Sequence, residues 1–379
     1  MKKIIAIPDS FKGSISSSGI CRIMEQTIHQ YYPDCQVLTI PVADGGEGSV
    51  ECFLTAMGGE LVKEKVAGPY FEEMEGFYGL IDGGSTAVIE MAACAGLPLV
   101  RGNKNAAKTT TYGVGQLLLA AARRPGVKKI IVGLGGSSTN DAGCGMAAAC
   151  GVKFYRGDGE AFTPVGGTLG EIAKIDASGL EACLKGVEIV TMCDIDNPLY
   201  GENGAAYIFA PQKGADEEMV RQLDAGLRHV AARMQEDLGV QVDSLPGGGA
   251  AGGMGAGMVA FFGARLEMGI QVVLDTVHFD EAARDADLVF TGEGRIDTQS
   301  LRGKVVIGVA QRAKKIGVPV IAVVGDIGDQ IDAAYEMGVS AIFSINRVAK
   351  PFDEVRHRSP EDMRLTMDTI MRYTRLLDR

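Results

Sequence analysis

Six short polar or glycine-rich clusters interrupt the apolar pattern of this 379-residue chain, and five of them directly follow a strand signal. "GLGGSSTND" (133–141) offers backbone N–H groups and hydroxyls, the donors that hold phosphate oxygens, without the lysine of a Walker A loop. Gly135, Gly136, Ser137 and Ser138 are its phosphate candidates, while Thr139 or Asn140 can cap the next helix. "CDIDNP" (193–198) places Asp194 and Asp196 two residues apart, on one face if the backbone is extended. One acid can then take a proton from an alcohol while the other, or Asn197, ligates a metal; an Asp-turn before Pro198 is the structural alternative. "PDSFKGS" (8–14) offers Asp9, Ser10, Lys12 and Ser14 at a helix start, as an anion site or as a cap. "VADGGEGS" (42–49) supplies Asp44 and Glu47, which suit magnesium, substrate hydroxyls or a plain turn.

The remaining two clusters are less specific. "PGGGAAGGMGAG" (246–257) contains G-x-G-x-x-G at Gly247, Gly249 and Gly252, but Pro246 stands where a leading strand should end. A dinucleotide fold is therefore disfavoured, against a phosphate cradle or a close helix approach. "TGEGRIDTQSLRGK" (291–304) carries Glu293, Arg295, Asp297, Arg302 and Lys304, charges that must pair or bind something after a buried strand. Phosphate-compatible turns, scattered cations and acid pairs together point to phosphoryl transfer, which needs positioning and charge neutralisation. From chemistry alone, an ATP-dependent small-molecule kinase leads. A non-catalytic phosphometabolite-binding or regulatory protein is the alternative, but a pure anion binder gains nothing from Asp194 and Asp196.

Composition narrows the field. The net charge of −11 excludes the basic footprint of a nucleic-acid binder and requires an anion site to have local cations or a metal. The four histidines form no H-x₃-H or H-E-x-x-H pattern, and the eight cysteines form no C-x-x-C pair, which disfavours zinc. Cys94, Cys144 and Cys150 sit among small apolar residues and read as reduced, buried hydrophobes. The start "MKKIIAIPDS" has no secretory apolar region, and the longest uncharged run, 244–264, is crowded with glycine. These features predict a soluble cytoplasmic protein with no membrane partner.

The elements that must position these clusters follow from apolar periodicity. "KKIIAIP" (2–8) and "CQVLTIPV" (35–42) flank a helical stretch from Ser16 to Tyr32. "ADLVFTG" (286–292), "VPVIAVVG" (318–325) and "SAIFSI" (340–345) alternate with helices closed by glycine, and an amphipathic helix ends the chain from Pro360. Continuous apolar strands alternating with helices predict a parallel sheet covered on both faces. The expectation is an α/β protein: a Rossmann-like domain built from residues 1–66 and 285–379, with a mixed α/β domain inserted at 67–284. In that insertion, "GFYGLID" and "TAVIEMA" predict a hairpin around Gly83-Gly84. "KKIIVGLGG", "VEIVTMCDID" and "IQVVLDTV" read as further strands.

Taken in order, "IPDSFKGSISS", "PVADGGEGSVE", "GLGGSSTNDAGCGM", "CDIDNPLYGENGAAYIFAPQKGA", "PGGGAAGGMGAG" and "ADLVFTGEGRIDTQSLRGKVVIGVA" resemble the signature blocks of the bacterial glycerate kinase family. The blocks run from residue 4 to about 310 and the chain ends match in length, so the resemblance covers essentially the whole chain. It implies phosphorylation of D-glycerate by ATP with magnesium, giving phosphoglycerate, with the 2-phosphate expected for this type. Within that reading Asp194 is the expected base, and Asp196 and Asn197 lie near magnesium. Lys12, Lys213 and Arg295 are the cations for substrate carboxylate and phosphate, with Asp9 and Ser10 beside the substrate. Gly135 to Ser138 and Gly249, Gly252 and Gly253 lie against phosphates.

Overall fold

The five apolar runs near the two chain ends form one sheet. The computed structural model describes residues 1–43 and 45–378, so the reading of Asp44 lies outside the described residues. Strands Val339–Ser344, Val320–Val324, Leu288–Gly292, Lys3–Pro8 and Gln36–Thr39 lie side by side in that order, every neighbouring pair parallel. From Lys3–Pro8 the chain steps outward to Gln36–Thr39. It re-enters on the other side at Leu288–Gly292 and steps away through the remaining two strands. The carboxyl ends of Lys3–Pro8 and Leu288–Gly292 thus flank a topological switch point, where open α/β sheets bind ligands.

Helices cover this sheet as the periodicity requires. Ser16 caps helix Ser17–Tyr31 by accepting a hydrogen bond from the Gly19 N–H. Ile20, Met24 and Ile28, spaced four apart, share a buried core with Met363, Met367 and Met371 of the terminal helix Ser359–Leu377. "IQVVLDTV" is not a strand but the helix Gly269–Thr276. Its Ile270, Val273 and Leu274 fall at helical spacing and are buried, and a Cβ on Gly308 would come within 2.7 Å of Ile270. Tertiary packing here overrides the β-branched composition.

The middle of the chain forms a six-stranded mixed sheet. Its order is Arg265–Glu267, Glu188–Met192, Lys129–Gly133, Thr86–Glu90, Glu73–Ile81 and Glu60–Ala67. The first four strands are parallel and the last two antiparallel. Gly83 and Gly84, with φ of 62° and 88°, make the turn of the expected hairpin between Glu73–Ile81 and Thr86–Glu90. Ala161–Phe162, Lys153–Tyr155 and Lys174–Asp176 form a separate small antiparallel sheet.

Two compact units result: Met1–Ala43, Thr55–Met57 and Met268–Arg379 in one, Asp44–Leu54 and Gly58–Glu267 in the other. Both principal divisions fall earlier than the 67 and 285 suggested by sequence. Strand Glu60–Ala67 pairs along its whole length with Glu73–Ile81, which ties it to the mixed sheet. Residues 269–283 are held to helix Val305–Lys315 by Arg312, which bonds Asp275 at 2.6 Å and Asp280 at 2.8 Å. All eight cysteines are free thiols, and all but Cys183 are buried. Burial pushes the Cys94 thiol up to about 12, which keeps it an inert hydrophobe. No helix among the described residues is long and apolar enough to cross a membrane.

Candidate active site

Strands Lys129–Gly133 and Glu188–Met192 pair in parallel with Gly133 opposite Met192, so the two chains leave the sheet together. Beyond their carboxyl ends lies a cavity of about 310 Å³. It collects residues from separate clusters: Gly135, Gly136 and Ser137, then Asp194, then Lys213, then Ala250 and Ala251. Leu97, Leu134, Ile195 and Phe209 supply apolar wall. A few convergent polar groups in an apolar concavity are the usual make-up of a small-molecule site.

Lys213 is the most unusual group here. It closes the short turn Pro211–Lys213 and is followed by Gly214 in the left-handed region, φ 91°. Its side chain is 2 % exposed, yet Nζ donates to Ser137 Oγ at 2.8 Å and to the Thr139 carbonyl at 2.7 Å. An ammonium has three protons to donate, so these two bonds leave one for a ligand. Burial brings the Lys213 pKa down to about 7, with the charge of Asp141 pulling the other way. Asp141 is wholly buried and accepts from the Thr111 N–H, Thr111 Oγ1, Gly143 N–H and Gly145 N–H at 2.8–3.3 Å. Burial pushes its carboxyl up, and those four donors counter the shift. The acid thereby ties the loop after Gly133 to the start of helix Cys144–Ala149 and stations a negative charge behind the lysine.

The structure redistributes the expected phosphate contacts. Gly136 and Ser137 line the cavity. Gly135 also lines it, but its N–H is donated to the Gly45 carbonyl at 2.9 Å, and a Cβ there would meet Gly46 at 2.5 Å. Ser138 is turned away: its N–H and its hydroxyl both donate to the Ala95 carbonyl, each at 2.9 Å. Its donors are spent on the chain itself, which corrects the phosphate reading of Ser138. Gly249, Gly252 and Gly253 are buried and serve close backbone approach. A Cβ on Gly249 would lie 2.3 Å from the Pro198 carbonyl, and one on Gly253 3.0 Å from Ala142 Cα. Ala250 and Ala251 are the members of that stretch that reach the cavity.

At Gly252 the fit is tightest. Ala251, Gly252 and Gly253 are all left-handed, with φ of 54°, 69° and 91°, inside the turn that opens helix Ala250–Phe262. A Cβ at Gly252 would stand 2.0 Å from the Thr139 carbonyl, whose other neighbour is Lys213. Gly252→Ala should therefore destabilise the protein by about 2–4 kcal/mol, combining left-handed strain with backbone overpacking. A thermal melt and a nucleotide titration read this together. An unchanged midpoint would show that the loop can back away without cost.

Asp194 and Asp196 do not share a strand face. The strand stops at Met192, and after it Asp194 lines the cavity while Asp196 is exposed outside it. Asn197 donates its Nδ2 to the Asn203 carbonyl at 2.8 Å, which leaves the amide oxygen as its coordinating end. Among the described residues no three of His, Cys, Asp or Glu gather as a metal centre. Magnesium, however, is commonly held by one or two carboxylates plus substrate phosphates. The oxygen donors of 194–197 are of the hard type that suits it, so the donor set fits a nucleotide-borne ion better than a protein cage.

The other expected residues belong to the parallel-sheet unit. Pro8 and Gly292 are partners in register, so Asp9 and Glu293 are the next residues at the switch point. The Asp9 N–H donates to the Gly292 carbonyl at 2.8 Å, and the Ser10 N–H to Asp9 Oδ1 at 2.6 Å. Lys12 and Arg295 are exposed, and Arg295 Nε stands 3.9 Å from Asp326 Oδ2. Asp141 is a chemically distinctive residue that sequence reasoning did not single out, and Glu293 was named there only among charges that must pair or bind something. The placement of Glu293 directly after a buried strand was the available signal.

Comparison with known proteins bears on the chain as a whole. Residues 4–375 match the model of the glycerate kinase family. A glycerate kinase of Halalkalibacterium halodurans is 46% identical over 346 residues, 91% of each chain. The glycerate 2-kinase of Escherichia coli K12 is 44% identical over 353 residues, 93% of this chain and 92% of its own. A crystal structure from Salmonella typhimurium LT2, named as a candidate glycerate kinase 2, is 40% identical with a TM-score of 0.88. The match covers 100% of this chain and 99% of that one. A cavity with a buried lysine at the end of parallel strands, a family match along nearly the whole chain and a shared fold leave one conclusion: this chain is a kinase of the glycerate kinase family.

Proposed function

We propose that this kinase transfers the γ-phosphate of ATP to D-glycerate, giving 2-phosphoglycerate, with magnesium bound. The observation that carries the reading is the buried Lys213 ammonium, bonded to Ser137 in a cavity that also holds Asp194. A chain of net charge −11 repels free anions at long range, so a phosphate site needs such a local cation. Lys213, Ser137 and Gly136 would receive phosphate oxygens, and Lys213 would meet the charge that develops as the phosphoryl group moves. Asp194 would take the proton of the attacking glycerate hydroxyl. Asp196 and the Asn197 amide oxygen would hold magnesium, which when bound offsets charge on the nucleotide phosphates. Lys12 and Arg295 are the cations for the glycerate carboxylate, with Asp9 and Ser10 beside them. The name of the Escherichia coli relative, glycerate 2-kinase, supports the 2-position.

Mixing the protein with ATP, magnesium and D-glycerate should release ADP, and phosphorus NMR of the product should show 2-phosphoglycerate. A 3-phosphoglycerate spectrum would change the regiochemistry. No ADP release would return the chain to a phosphometabolite-binding role.

A further inference from the structure

Glu293 is a buried acid to which the proposed transfer assigns no role. It follows the central strand Leu288–Gly292, is 6 % exposed, and its Oε1 has no hydrogen-bond partner among the described residues. Leaving a carboxyl oxygen buried without a partner is costly, so an oxygen in this state marks a place where something else binds. Its surroundings are of mixed sign. Asp9 lies at the end of the adjacent strand, and Asp297, Ser300 and Lys304 follow in its own loop. Burial is the main influence on Glu293 and brings it up to about 7; Ser300 and Lys304 oppose that shift, while Asp9 and Asp297 add to it. Near neutral pH the group is thus present both as acid and as carboxylate.

A hydroxyl is the small-molecule group that satisfies both forms, since it donates to a carboxylate and accepts from a carboxylic acid. The loops carrying Asp9 and Glu293 run side by side, with a Cβ on Gly294 only 3.8 Å from the Lys12 backbone nitrogen. The same unit therefore presents acids suited to hydroxyls and, at Lys12 and Arg295, cations suited to a carboxylate. We propose that Glu293, at the switch point beside Asp9, binds the non-reacting hydroxyl of the hydroxy-acid acceptor and is the residue that selects glycerate over hydroxy acids lacking that hydroxyl. This rests on the glycerate reading above and adds a specificity residue to it. A site built to hydrogen-bond a hydroxyl rejects the analogue without one because its own polar group is left unpaired.

The test compares D-glycerate, through its KM, with D-lactate, through its inhibition constant. Wild type should prefer glycerate by about a hundredfold or more. In Glu293→Met the glycerate KM should rise steeply while lactate inhibition stays nearly constant, so the preference falls to a few-fold. Glu293→Gln, which still bonds a hydroxyl, should keep most of it. An unchanged preference in folded Glu293→Met, or equal weakening of both ligands, overturns the proposal. If Glu293→Met does not fold, Glu293→Ser gives the same readout with a side chain too short to reach. A wild type that phosphorylates glycerate without preferring it over lactate overturns the proposal without any variant. A wild type inactive on glycerate overturns the functional reading itself.

Discussion

Lys213→Met should lower kcat/KM for nucleotide by about a thousandfold, on the order of 4 kcal/mol of transition-state stabilisation. The lysine is 2 % exposed and its nitrogen is fixed by Ser137 and the Thr139 carbonyl, so the group is positioned before any ligand arrives. A preplaced donor that carries its charge once phosphate is bound costs little reorganisation during transfer, which is why its loss is severe. Lys213→Arg should not restore activity, because a planar guanidinium does not fit a slot shaped for a compact ammonium. The variant should still fold. Methionine strands two polar partners but also removes a charge whose desolvation already drives the pKa to about 7.

The pH dependence has a definite sign. A lysine lowered to about 7 is charged below that value and neutral above it, and bound phosphate favours the charged form. Nucleotide affinity of the wild type should therefore weaken from pH 7 to pH 9. Titration calorimetry at pH 8, in buffers of different ionisation enthalpy, should show proton uptake on binding. Glu293 also titrates near 7, so the Met variant is the control: it should lose the uptake assigned to Lys213. Activity within threefold of wild type, or unchanged proton uptake, would remove Lys213 from the phosphate site.

Asp194→Asn should reduce kcat by a hundredfold or more while leaving the nucleotide KM within a few-fold. The substitution keeps shape and hydrogen-bonding capacity but cannot take up the proton of an alcohol. Among the described residues lining the cavity that holds Lys213, Asp194 is the one acid, which makes it the carboxylate best placed to serve there. Asp196→Asn should have the smaller effect on turnover and a larger one on the magnesium concentration needed for half-maximal rate, since that side chain lies outside the cavity. Near wild-type turnover in folded Asp194→Asn would exclude it as the base.

Much of the parallel sheet was legible because its strands are continuous apolar runs between glycine-closed helices, and these residues are buried whatever else surrounds them. The cap at Ser16 and the hairpin at Gly83-Gly84 are equally local and equally readable. "IQVVLDTV" was not, since a short β-branched run fits strand and helix alike until Gly308 offers it a groove. The candidate site was legible as chemistry but not as direction. Ser137 and Ser138 are neighbours of identical type, and only the fold decides that one meets Lys213 while the other is consumed by the Ala95 carbonyl. The glycines of 249–253 are similarly ambiguous on paper. Freedom to approach a ligand and freedom to approach Thr139 require the same missing side chain. Burial of Lys213 depends on partners distant in sequence, so no local pattern announces it, whereas the buried strand before Glu293 does mark that acid.

The distribution of thiols has a practical consequence for following this protein's motions. Cys21 and Cys35 report on the parallel-sheet unit, whereas Cys52, Cys94, Cys144, Cys150 and Cys193 report on the other. Because these side chains are buried, an alkylating reagent reaches each when its surroundings open, and the modification rate follows the free energy of that opening. Peptide-resolved labelling of the unaltered chain therefore yields two separate clocks, one per unit, and a ligand that slows only one set identifies the unit it holds closed.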